Sequence, residues 1–117
     1  YADVSTLANL LRRSNLMHAR LLRESTGFGA MLTKRGVAAC PSPEDPKPND
    51  ESFYAGGYSV RRHTAEDGLH IFGFQIELPV DMRLHDAERR TLAPKLTEAI
   101  IEFMKTKAPD VWLAGTQ

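Results

Sequence analysis

The chain has 117 residues, of which 42% are hydrophobic and 26% charged, and its 15 basic residues equal its 15 acidic residues. This length allows one small domain and is too short for two, and the composition is ordinary for a globular protein. A nucleic-acid partner is not expected, because phosphate contacts need a basic surplus. The sequence has no apolar run long enough to span a bilayer and one cysteine, Cys40, so neither a membrane partner nor an intrachain disulfide is expected.

Residues 1–36 have the apolar spacing of helices. Leucines recur at helical intervals from Leu7 to Leu11, and the pattern restarts at Leu16, as a second helix or as the same helix bent. Ser25 is predicted to cap a further short helix that carries Phe28 and Met31. Gly36 is a typical stop after the end of that helix.

Residues 37–52 form a proline-rich loop. This segment holds four of the seven prolines and few apolar side chains, which favours an irregular surface path with stretches of polyproline conformation. A plain linker is one interpretation. A rim or lid beside a site is the other, since small domains seldom contain so long a segment without secondary structure.

Residues 53–80 contain a double glycine and the clearest strand pattern. The side chains of Leu69–Leu78 alternate in character, so that one face of the predicted strand is apolar. The other face has no side chain at Gly73 and ends in Gln75 and Glu77. A second strand is considered over Tyr58–His63. Two strands make a poor sheet, so the sequence predicts that further strands come from another chain.

A terminal helix is predicted within residues 84–108, from about Asp86 to Lys107. Its apolar side chains recur along one side. Pro94 does not fit deep inside a helix, so either the helix kinks there or a new helix starts at Thr91 with the proline in its first turn.

Glu77 is the first candidate for chemistry. A carboxylate at the end of an otherwise apolar strand loses hydration, which favours its neutral form and suits a general acid or base. The alternative is an ordinary surface glutamate, or one paired with an arginine such as Arg83.

Arg61 and Arg62 follow Gly56-Gly57 and are candidates for binding a carboxylate. The guanidinium group is a planar fork that can make two parallel hydrogen bonds to a carboxylate. Adjacent residues of an extended segment point to opposite sides, so at most one of the two is expected in a pocket; two solvated arginines is an equally weighted alternative. The glycines let a backbone approach a ligand closely, or simply permit a turn.

Metal ligands are not predicted within the chain. The four histidines, His18, His63, His70 and His85, have none of the spacings of zinc sites, although His63 and His70 flank a turn.

Taken together, two stretches resemble the C-terminal part of the N-formylglutamate amidohydrolase family. They are the double-glycine turn of Phe53–His63, which ends Arg61-Arg62-His63, and the stretch Gly68–Glu77, which ends Phe74-Gln75-Ile76-Glu77. Upstream, Ser25–Leu32 followed by Gly36 and Pro41-Ser42-Pro43 is similar to the segment that precedes this turn. The resemblance covers about Ser25 to Met104.

The resemblance implies the C-terminal part of a three-layer, mixed-sheet α/β domain of zinc-carboxypeptidase-like (phosphorylase/hydrolase-like) fold, completed by another chain. It implies hydrolysis of an amide by zinc-activated water. Glu77 would be the catalytic carboxylate, Arg61 or Arg62 would bind the substrate carboxylate, and Gly56, Gly57 and Gln75 would shape the site.

The family's zinc ligands lie in an N-terminal half to which nothing here corresponds. Zinc is therefore expected on residues outside this chain, in an N-terminal polypeptide of the same precursor that forms a heterodimer or larger assembly with it and without which it is inactive. The alternative is a non-catalytic binding or storage protein that retains the hydrolase-like fold. A third interpretation is a self-sufficient small helical binding domain.

Overall fold

The computed structural model describes residues 7–14, 17–49, 56–66 and 71–115. Helices dominate these residues. In chain order they are α1 (Ala8–Ser14), α2 (His18–Leu22), α3 (Phe28–Thr33), α4 (Tyr58–Arg61), α5 (Val80–Leu84), α6 (Asp86–Lys107) and α7 (Pro109–Gly115), with a π-helical turn at Arg62–Glu66 directly after α4.

The predicted α/β fold is wrong for this chain. The described residues contain no β-strand and no sheet, which conflicts with a three-layer mixed-sheet, hydrolase-like domain. Tyr58–His63, considered as a second strand, forms α4 and enters the π-helical turn. Within the predicted strand Leu69–Leu78, residues 71–78 have no regular secondary structure, and residues 69 and 70 lie outside the described residues.

The physical reason is that alternation alone does not make a strand. A strand satisfies its N–H and C=O groups only through a neighbouring strand, whereas one helical turn satisfies them locally. The Arg61 N–H bonds to the Gly57 carbonyl oxygen at 3.1 Å, which closes such a turn where extended pairing was expected. Strand preference of aromatic and β-branched residues is context-dependent for the same reason.

The chain divides into two compact units. Unit 1 comprises residues 1–18 and 48–76, and unit 2 comprises residues 19–47 and 77–117. In unit 1, the buried Asn9 side chain on α1 donates to the Thr64 carbonyl at 2.7 Å and to the Ile71 carbonyl at 2.6 Å. The Asn9 amide thus joins α1 to the π-helical turn and to Ile71, and both of its N–H donors are used.

Unit 2 is built on the packing of α3 against α6. Phe28 on α3 and Phe103 on α6 make an edge-to-face contact with ring centroids 5.7 Å apart, and both side chains are buried. Edge-to-face geometry places the positive ring edge against the negative ring face. Leu92 and Ala99 are also buried on α6, so one face of this helix carries the core of the unit.

The ends of α3 are set by two glycines. Gly27, rather than Ser25, is the N-cap residue. At the other end, the Val37 N–H bonds to the Leu32 carbonyl at 3.1 Å and the Gly36 N–H to the Thr33 carbonyl at 2.9 Å. Gly36 has φ +75°, so this is a Schellman motif with glycine at its left-handed position.

The proline-rich loop packs on α3 and is ordered by its own polar groups over residues 40–45. A Cβ atom built on Gly29 of α3 would lie 2.7 Å from Ser42 Cα, so the loop backbone lies directly on the helix. Ser42 is buried; its N–H donates to the Asp45 carbonyl at 2.8 Å, and its hydroxyl accepts from the Asp45 N–H at 3.0 Å.

Helix α6 begins at Asp86 and continues through Pro94 to Lys107. No separate helix starts at Thr91. The Thr91 hydroxyl bonds to the Ala87 carbonyl at 3.0 Å and the Thr97 hydroxyl to the Ala93 carbonyl at 2.8 Å, so carbonyl groups on both sides of Pro94 have a side-chain donor.

Candidate functional site

The double-glycine segment and Gln75 meet in unit 1. The Gly57 N–H donates to Gln75 Oε1 at 2.7 Å, across 18 residues of sequence. Gly57 is the N-cap of α4 and has no side chain to bond with the helix itself. The amide of Gln75 thus fixes the start of α4, and it brings together two residues that the sequence placed in the site.

Local geometry requires glycine at position 56 and leaves little room beside position 57. Gly56 has φ +82°, in the left-handed region that side chains other than glycine rarely adopt. A Cβ atom at Gly57 would lie 3.1 Å from Gln75 Oε1, which is tighter than ordinary contact. With alanine at position 57, the Gln75 amide would have to move by a few tenths of an ångström.

Arg61 and Arg62 are exposed at the end of α4 and the start of the π-helical turn. The expectation that they point to opposite sides assumed an extended segment. Successive residues of a helix are about 100° apart, so the two arginines diverge less than they would on a strand. Both arginines are thus exposed residues of the helical segment that begins at Gly57.

Glu77 belongs to unit 2 and is exposed. It lies in the segment without regular structure that leads to α5, not at the end of a buried strand. The dry environment on which its role as acid or base was argued is therefore not found. Its assignment as the catalytic carboxylate stays a prediction based on the resemblance alone.

Within the described residues, no group of three or more His, Cys, Asp or Glu side chains could hold a metal ion. His63 and His85 are exposed, and His70 lies outside the described residues. The donor set of the residues that the structure describes thus does not fit a zinc centre by itself. That another polypeptide holds the zinc stays a prediction.

A second polar arrangement, which the sequence did not reveal, lies between α3 and α6 in unit 2. Glu102 accepts hydrogen bonds from Lys34 and, at 2.7 Å, from Arg35 Nη2. Arg35 also contacts Glu98 at 3.3 Å and donates to the Met31 carbonyl at 2.7 Å. The one available signal was that Glu98 and Glu102, four residues apart, share a helix face, while Lys34 and Arg35 follow α3.

Hydrogen bonds are the largest cause of the pKa shifts in this cluster. The bond from Lys34, followed by that from Arg35, lowers the pKa of Glu102 against the opposing effect of burial. The bond to Glu102 raises the pKa of Arg35 in turn. Both groups are therefore charged at neutral pH, and the cluster joins the end of α3 to the middle of α6.

Lys107, the last residue of α6, has a different environment. Its Nζ donates to the Thr26 hydroxyl oxygen at 3.1 Å, which is a neutral partner. Burial, and then the positive charge of Arg20, lower the pKa of this ammonium, and Glu24 opposes them only in part. The charge of the Lys107 ammonium is therefore less well compensated by its surroundings than it would be in water.

Helices capable of crossing a membrane are not found in the described part of the chain. Comparisons with protein-family models, with curated proteins and with solved structures each gave no match.

Proposed function

We propose that this chain is the substrate-binding part of an amidohydrolase-like protein and that its Gly56–Arg62 segment binds the carboxylate of a small acyl amino acid. The observation that carries the proposal is the hydrogen bond from the Gly57 N–H to Gln75 Oε1. It joins the two motifs through which the sequence resembles N-formylglutamate amidohydrolases. The remaining part of the proposed protein, with its metal ligands, would be a second polypeptide.

Arg61 supplies the binding chemistry in this proposal. It is exposed and lies one helical turn after Gly57, whose position Gln75 fixes. A guanidinium group holds a carboxylate through two parallel N–H···O bonds, which fixes the orientation of the substrate as well as its charge. Arg62 is the neighbouring cation and adds to the positive field at the same segment.

The alternative proposal is a binding protein that has no catalytic activity. The exposure of Glu77 favours it, because a proton-transferring carboxylate generally works in a site shielded from water. Both proposals share the carboxylate-binding segment, and they differ in whether the bound amide is hydrolysed.

Binding is tested by calorimetric titration of the natural assembly with N-formyl-L-glutamate. We expect Arg61→Ala to weaken binding about tenfold or more, because a charge-assisted bidentate contact is lost. Arg23→Ala is the matched control, since Arg23 is an exposed arginine of unit 2 outside both motifs. Equal effects of the two substitutions would mean that the arginines act only through general charge, and the binding segment would be wrongly assigned.

Measuring the release of formate from N-formyl-L-glutamate distinguishes the amidohydrolase from the non-catalytic binding protein. In the amidohydrolase, Glu77→Gln is expected to abolish release of formate while N-formyl-L-glutamate still binds. An assembly that binds this compound but releases no formate with Glu77 intact is the non-catalytic protein. Undiminished hydrolysis in the Glu77→Gln variant would contradict the role given to this carboxylate.

A further inference from the structure

A surface cleft of unit 2 lies where the start of α3 faces the end of α6. Its volume is about 410 Å³, within the range of small-molecule sites, and Thr26, Met31, Lys34, Glu102 and Lys107 contribute to its lining. None of these residues belongs to the carboxylate-binding segment proposed above. The cleft is therefore a second candidate site, separate from the Gly56–Arg62 segment.

The charges in the cleft are unevenly matched. Two ammonium groups, Lys34 and Lys107, line it with one carboxylate, Glu102. That carboxylate already accepts from Lys34 and Arg35, so its negative charge is shared between two cations. The ammonium of Lys107 contacts only the Thr26 hydroxyl among the described residues, which leaves the cleft positive at its Lys107 end.

The environment of Lys107 favours an added anion. Burial and the repulsion from Arg20 lower the pKa of Lys107 more than the attraction of Glu24 raises it. An anion beside Nζ would offset both the burial of the ammonium and this repulsion. The Thr26 oxygen accepts from Lys107, so its O–H group can donate to the same anion.

The rest of the lining selects the kind of anion. Ala30 and Met31 on α3 give the cleft an apolar wall beside the polar end. A fully polar anion such as phosphate would leave this wall uncovered, whereas an organic acid can place a hydrocarbon stem on it and its carboxylate at Lys107.

We propose that the cleft between α3 and α6 binds a small organic carboxylate with a short apolar stem. The Lys107 ammonium and the Thr26 hydroxyl hold the carboxylate, and the stem packs on Ala30 and Met31. The Lys34–Glu102–Arg35 cluster closes the other end of the cleft and fixes the separation of the two helices.

The test is an NMR titration of the ¹⁵N-labelled protein with hexanoate, hexan-1-ol and inorganic phosphate at one ionic strength. We expect saturable shifts of the Thr26 and Lys107 amides with hexanoate, and at least about tenfold weaker binding of the alcohol and of phosphate, because each lacks one half of the interaction. Binding of hexanol or of phosphate as tight as that of hexanoate would overturn the assignment.

Substitutions of two lysines on α6 test whether hexanoate binds at Lys107. Lys107→Gln is expected to weaken hexanoate binding about tenfold, whereas Lys105→Gln should change it less than about twofold. Lys105 is a matched control because it lies on the same helix, and its ammonium is directed at the Trp112 ring, 5.4 Å from the ring centroid. Equal losses in the two variants would show attraction by general charge and would contradict the site.

Two further substitutions guard against a folding defect. Lys107→Arg keeps the charge and is expected to retain most of the affinity. Thr26→Val keeps the side-chain shape, removes the hydroxyl, and should weaken binding several-fold. Loss of binding in Lys107→Gln without any loss in Thr26→Val would contradict the part given to Thr26.

Discussion

Glu102 is the residue whose ionisation most directly links α3 to α6. Its carboxylate accepts from two cations that follow α3, while only 27% of its side chain is exposed. Charge-assisted bonds of this kind are stronger than those between neutral groups, and screening by water is limited at a half-buried position. The contribution of this carboxylate to stability therefore depends on pH.

The pH dependence follows from the direction of the shift. Because folding lowers the pKa of Glu102, its contribution is complete above the unfolded-state pKa of about 4.3 and is lost as pH falls through the lower folded-state value. We expect Glu102→Gln to destabilise the protein by roughly 0.5–1.5 kcal/mol at pH 7, with the difference vanishing toward acid pH. Urea unfolding at several pH values measures it.

Glu44→Gln is the control for this prediction, since Glu44 is an exposed carboxylate of the proline-rich loop. It should leave the free energy of unfolding unchanged over the same pH range. A loss in Glu102→Gln that persists undiminished at low pH would show that the cluster acts through packing rather than through charge.

Gly29 is required by the loop that lies on it. A Cβ atom there would lie 2.7 Å from Ser42 Cα, a contact that only movement of the backbone can relieve. We expect Gly29→Ala to destabilise the protein by about 1–3 kcal/mol in total, because the cost of the clash is larger than the ~1 kcal/mol gain in helix propensity. Thermal or urea unfolding checks the sign.

Gly115→Ala is the matched substitution for Gly29→Ala. Gly115 ends α7, and a Cβ atom there meets nothing within 4 Å. Stability should change by less than about 0.5 kcal/mol in this variant. If both alanine variants are equally tolerated, the loop does not pack on α3 as described.

At the scale of elements, the contact of α3 with α6 carries the core of unit 2. Phe103 is 2% exposed and meets Phe28 edge to face. Phe103→Ala removes this contact and leaves a cavity, so we expect the free energy of unfolding to fall by about 3–5 kcal/mol. Leu113→Ala on α7 is the control, because Leu113 is 60% exposed and its truncation should cost little.

The sequence could predict α6 and the end of α3, since these depend on local signals. The apolar residues of α6 repeat at helical intervals, and Gly36 adopts the positive φ of a helix stop. The start of α3 was less well predicted, because Ser25 and Gly27 are both acceptable caps and only the packed backbone selects between them.

The strand prediction failed because it depended on distant partners. The alternation of residues 71–78 shows which faces the segment could present, but not whether another strand is near enough to pair with it. For the site, the sequence selected Gly57 and Gln75 separately, and their hydrogen bond required a fold to be known. The cluster of Lys34, Arg35 and Glu102 was missed for the same reason.

At the scale of the whole molecule, the proposed function requires more protein than this chain. The described residues include the segment for which we propose carboxylate binding, Gly56–Arg62, and they contain no group of three or more side chains that could hold a metal ion. Exposed apolar side chains such as Val80, Leu84 and Leu113 in unit 2 are also compatible with a partner polypeptide. An amidohydrolase-like protein would thus combine substrate binding by this chain with ligands supplied by that partner.

The most direct test is intact mass spectrometry of the natural assembly that contains this sequence, with metal analysis of the same sample. We expect additional polypeptide that carries His and Asp or Glu ligands, together with about one zinc ion for each copy of this sequence. A metal-free species of 13.1 kDa, the mass of this chain alone, would contradict the account.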